Sequence, residues 1–124
     1  MSAASPRVLA IGLDPRRVPG PWDPESVVRA IEAGLPEFAT HGVGAETCLI
    51  GLDGSDDVEA VVGDALRARR WECVTAGGGL RHSDERVELL ELVIHLIRRR
   101  ASDAAIAFNS SPSTLYEAAA RWFA

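Results

Sequence analysis

"RVLAIGL", residues 7–13, is an unbroken apolar run after its first residue, with no alternation between polar and apolar positions. A strand with one face in water alternates, whereas a strand covered on both faces reads as continuous hydrophobe, so this run predicts an interior strand of a parallel sheet. Similar runs recur at "ETCLIGL", residues 46–52, "WECVTA", residues 71–76, and "AAIAF", residues 104–108. Between them lie longer stretches with helical spacing. From Glu25 to about His41, apolar residues recur at Val27, Ile31, Leu35 and Phe38, one face of a helix. Pro36 lies inside that stretch and deletes the hydrogen bond to Glu32, so a kink or a split is expected there.

Punctuation supports the remaining helices. Ser55 is expected to cap a second helix, with Asp56 and Asp57 in its first turn and Arg67, Arg69 and Arg70 at its negative end. Ser83 is expected to cap a third, with Asp84 and Glu85 in its first turn and Arg98 to Arg100 in its last. Ser111 and Pro112 mark the start of a fourth, which places Leu115, Ala118, Ala119 and Trp122 on one side. Four strand and helix units with right-handed crossovers predict a three-layer α/β/α sandwich around a short parallel sheet of order 2-1-3-4, a flavodoxin-like arrangement. The first and fourth helices then cover one face and the second and third the other. A plain Rossmann half is the competing topology. At 124 residues the chain is expected to form a single domain over 1–124.

Composition narrows the function classes. The hydrophobic fraction of 47% and charged fraction of 25% are those of a globular protein. No run approaches the length of a membrane span, and "MSAASPRVLAIG" is too weakly apolar for a secretory signal, so a cytoplasmic protein without a membrane partner is expected. A net charge of -5 argues against a nucleic-acid partner, because that affinity depends on neutralising phosphates. All 13 basic residues are arginine. Without lysine, a Walker A loop, Schiff-base catalysis and a phosphorelay receiver of the usual form are excluded. Cys48 and Cys73 fall in apolar runs and are expected to be structural.

In open parallel sheets, ligands bind outside the carboxyl ends of the strands where the strand order reverses, here between the first and third strands. Two loops flank that point, "DPRRVPGPWDPE" and "GGGLRHSD". The candidate ligand-binding residues are therefore Asp14, Gly77, Gly78, Gly79, Arg81 and Asn109. Backbone N–H groups of the glycines and the Arg81 guanidinium would meet an anion, Asp14 and Asn109 would orient the rest, and Trp22 would form part of a lid. The same residues have a plainer use, since glycine and aspartate both favour turns. "GGG" lacks the G-x-G-x-x-G spacing of a dinucleotide site, and the loops after the third and fourth strands lack the aromatics of a flavin site. His82 falls on the rim, but no nucleophile elbow accompanies it, and His41 and His95 read as surface residues. The cofactor, if any, is not identified by these residues.

The expected function is a domain that binds a small phosphate- or carboxylate-bearing ligand. One alternative is a magnesium-dependent, phosphate-processing enzyme that uses Asp14 and Asp53. The other is a homodimeric assembly protein: the helix at residues 84–99 carries Val87, Leu89, Leu90, Leu92, Val93, Ile94, Leu96 and Ile97, more hydrophobe than a sheet-packing face requires. Taken together, "VLAIGLDP", "WECVTAGGGLR" and "AAIAFNSSP" resemble a group of small bacterial single-domain α/β proteins. The resemblance covers nearly the whole chain, implies the fold, and brings no activity with it.

Overall fold

The computed structural model describes residues 7–18, 23–52, 54, 57–81, 86–109 and 111–122. The elements follow as β1 (Arg7–Leu13), α1 (Pro24–Gly34), α2 (Pro36–Thr40), β2 (Gly44–Ile50), α3 (Val58–Arg67) and β3 (Cys73–Ala76). They continue with α4 (Gly78–Arg81), α5 (Val87–Arg100), β4 (Ala105–Phe108), a 3-10 turn (Pro112–Thr114) and α6 (Leu115–Ala120). The four strands form one sheet in the order β2-β1-β3-β4, and every pairing is parallel. The flavodoxin-like α/β architecture expected from the apolar runs is the one observed.

Residues alternate across the sheet as the pleat requires. Leu9 and Ile11 of β1, Cys48 and Ile50 of β2, and Val74 and Ala76 of β3 face α3 and α5, packing with Val62, Leu66, Trp71, Val93, Leu96 and Ile97. Burial of each large aliphatic side chain in this layer contributes about 1.5–3 kcal/mol. The opposite face is thinner. There Val8, Cys73 and Ala107 meet Phe38, Val43, Leu115, Ala118 and Ala119. The one fully buried residue of α1 is Gly34, so this helix adds no buried side chain of its own.

Boundaries differ from expectation where local bonds compete. Pro36 splits the first helix: α1 ends at Gly34, Leu35 bridges, and α2 begins at the proline itself. The second helix starts at Val58, two residues later than a cap at Ser55 would place it, and Ser55 itself lies outside the described residues. Asp57 has an extended backbone (φ -84, ψ 98), and its carboxylate accepts a hydrogen bond from the Ala60 N–H, making Asp57 the cap. The third helix likewise begins later than expected, at Val87, after the separate turn α4; Ser83 lies outside the described residues. β2 begins two residues early, where Gly42 turns the chain with φ +71 and the Val43 N–H donates to the Phe38 carbonyl. Trp71 leaves the third strand, which starts at Cys73, and donates its indole N–H to the Ala65 carbonyl at 3.1 Å. Trp122, expected on the inner side of the last helix, lies beyond the end of α6 and is 58% exposed.

Candidate functional site

At the end of β1 the ladder continues one step, because the Asp14 N–H donates to the Ile50 carbonyl at 2.8 Å. The Asp14 carboxylate then accepts from the Arg16 N–H at 3.0 Å and from Arg17 Nε at 2.9 Å. The Arg17 hydrogen bond holds the Asp14 carboxyl below its ordinary pKa. Arg17 also reaches the Leu49 carbonyl at 3.3 Å. Arg16 makes a two-point contact with Glu25, at 2.9 and 3.0 Å, tying this loop to the first turn of α1. Asp14 therefore shapes the loop and is engaged by Arg17.

Behind the loop lies a cavity of about 360 Å³ between α1 and the sheet. Its size falls within the roughly 300–1,000 Å³ of small-molecule sites. Small residues make the floor. Ala10 is level with Thr47 on β2 and Thr75 on β3, and Gly12 and Gly77 come next along the same face. Val27 and Ile31 of α1 line the opposite wall and are only half-buried, since the cavity separates them from the sheet. Pro15 and Val18 close one side, and Asn109, Ser111 and Leu115 another. Among the described residues, no charged side chain lines the cavity.

Two polar side chains are buried here. Thr75 is 1% exposed, and its Oγ1 has no hydrogen-bond partner in the protein. Asn109 is 5% exposed and donates from Nδ2 to the Ser111 carbonyl at 2.8 Å, holding the chain between β4 and the 3-10 turn.

The glycine run serves the cavity and does not make a left-handed turn. Among the described residues, the glycines with positive φ are Gly42 and Gly54. Gly78 and Gly79 instead enter the helical turn α4, anchored by the fully buried Leu80. The Gly77 N–H donates to the Ile11 carbonyl at 2.9 Å, so it is committed to the sheet and is not offered to an anion. Gly77 and Gly79 both line the cavity, where side chains would intrude. A Cβ on Gly79 would approach Leu13 Cδ1 to 3.2 Å.

Of the residues singled out in the sequence, Gly77, Gly79 and Asn109 thus meet at one cavity, while Asp14 is turned to its own loop. Arg81 ends α4. Trp22, Asp53 and His82 lie outside the described residues. Gly12, Thr75, Val27 and Ile31 were missed. Their signal was the run of small residues on one face of adjacent strands, Ala10 and Gly12 beside Thr75 and Gly77, beneath a helix with an apolar stripe.

Compared with known proteins, the chain matches no family model and no curated protein. Among the described residues, no helix is long and apolar enough to cross a membrane, and no group of three or more His, Cys, Asp or Glu side chains is placed to hold a metal ion. Both cysteines are buried and neither forms a disulfide, and burial pushes the Cys73 thiol up to about 11. Along α5, Leu89, Leu90, Leu92 and Ile94 pack against the core, and Val87 is the large apolar residue left exposed, at 52%.

Proposed function

We propose that this chain is a small-molecule-binding domain whose ligand enters the cavity beside the carboxyl ends of β1 and β3. One observation carries the reading: the cavity lies where the strand order reverses, and Gly12, Gly77, Gly79 and Asn109 line it there. A phosphate or carboxylate on such a ligand belongs at the mouth, toward Gly79 and the turn that ends at Arg81, because the described lining farther in is uncharged. The test is a thermal-shift series of small carboxylates and phosphate esters on the wild-type protein and on Arg81→Ala. A ligand at one hundred times its Kd adds about 2.7 kcal/mol of stability, enough to move Tm visibly. A stabilising compound whose effect is lost in Arg81→Ala supports an anionic group at the mouth. A flat series counts against it.

A second reading, a homodimer through the helix at residues 84–99, keeps Val87 in its favour. Sedimentation of a monomer at high concentration would remove it. The magnesium reading has lost support from Asp14, whose carboxylate is engaged by Arg17 and the Arg16 amide.

A further inference from the structure

We infer that the inner end of the cavity selects a neutral, mainly apolar group carrying one hydrogen-bonding atom, a phenol or alcohol in chemical class, and that Thr75 Oγ1 is its partner. This rests on the ligand-binding reading above and adds to it the chemistry of the buried part of the ligand. The starting point is a polar atom that ought not to be there. Thr75 sits on a central strand between Ala10 and Ala107, 1% exposed, and its hydroxyl makes no hydrogen bond within the protein. A buried hydroxyl without a partner is destabilising, and a valine of the same shape would remove the penalty. The same burial seals the hydroxyl from the open cavity, so a ligand meets it as the Thr75 side chain turns toward the cavity floor, and the ligand then supplies the missing partner.

The surroundings decide the class of that partner. The walls are aliphatic, from Val27, Ile31, Leu49 and Leu115. A charged group beside them would lose its hydration without an opposite charge to replace it, since the described lining offers none. An apolar body loses nothing there and completes the contacts that Val27 and Ile31 lack. A threonine hydroxyl both donates and accepts, so it serves a phenol or alcohol without requiring charge.

Gly12 supplies a position at which a Cβ can be added without backbone strain. A Cβ on Gly12 would meet only Leu49 Cδ2, at 3.8 Å, and Gly12 has no positive φ. Side chains added there occupy cavity space.

The test uses p-cresol and toluene, which share a shape and differ by one hydroxyl, titrated into the nitrogen-labelled full chain and followed by amide NMR shifts. The wild-type protein is expected to bind p-cresol roughly five- to tenfold more tightly than toluene, the worth of one net hydrogen bond, with shifts centred on Thr75 and Gly77. Thr75→Val should remove the preference for p-cresol or reverse it toward toluene, because the buried phenol hydroxyl then has no partner, and should raise Tm in the absence of ligand. Gly12→Val should abolish both, and Ile31→Trp reads the same blockage from the α1 side should Gly12→Val not fold. Equal affinities in the wild type, or a preference unchanged in Thr75→Val, overturn the role of Thr75 and leave the binding reading standing. Binding of the charged series with no response to either neutral probe overturns the apolar class alone. No response to any compound overturns both.

Discussion

Asp14 shows how one carboxylate can be read as a ligand and act as a brace. It is 22% exposed by side chain, accepts a charged and an amide donor, and fixes the turn that carries Pro15 and Val18 to the cavity. Asp14→Asn is expected to cost about 1 kcal/mol at pH 7, since the charge-assisted bond weakens while the space stays filled. Its folded pKa is depressed below the ordinary 3.8, so the ionised group's contribution is present above that value and disappears as pH falls through the folded pKa. Urea titrations should show the gap between wild type and Asp14→Asn closing below about pH 4. Cys73 runs the other way. Burial raises its thiol from 9.0 to about 11, so the unfolded chain loses the proton first and stability declines as pH rises through that interval. The loss is expected to be about 2 kcal/mol, and absent in Cys73→Ala, as read from urea midpoints at pH 8 and pH 11.

Helix boundaries here are set by single side chains. α3 begins where the Asp57 carboxylate reaches the Ala60 N–H, and Asp57→Ala should cost about 1 kcal/mol by leaving that donor bare, measured as a fall in the urea midpoint. Both Asp56 and Asp57 were reasonable first-turn acids from composition. The extended backbone at Asp57 is what makes it the cap; Asp56 lies outside the described residues. Pro36 was legible as a break, because a missing N–H is a property of the residue itself. The start of β2 was not. It depends on the left-handed Gly42 and on Val43 bonding back to Phe38, neither of which the apolar run at residues 46–52 encodes.

For the whole molecule, the two faces of the sheet are unequal. α5 buries Val93, Leu96 and Ile97 against the core, whereas α1 stands across the cavity with Val27 and Ile31 half-buried. Local stability follows buried contacts, so the amides of α1 should exchange with solvent faster than those of α5, and a cavity ligand should slow α1 selectively. Hydrogen exchange by mass spectrometry checks both statements, and equal protection of the two helices would show that the cavity does not weaken its roof. The same inequality bears on partners. The hydrophobe of α5 that looked excessive in projection is mostly spent on the core, with Val87 the exposed remainder.

The sequence by itself determined the layers and the strand order, for a physical reason. Continuous apolar runs require cover on both faces, the helical stripes supply it, and right-handed crossovers leave few ways to connect them. It also located the end of the sheet where Gly77, Gly79 and Asn109 lie. What Asp14 bonds to, whether the Gly77 amide is already used, and whether space remains beneath α1 were decided only by the tertiary structure. A hydrogen bond has one partner among several candidates in reach, and a cavity is a difference between volumes contributed by separate elements. Ala10, Gly12 and Thr75 are unremarkable strand residues in sequence. Set side by side below Val27 and Ile31, they leave the room that a ligand would occupy.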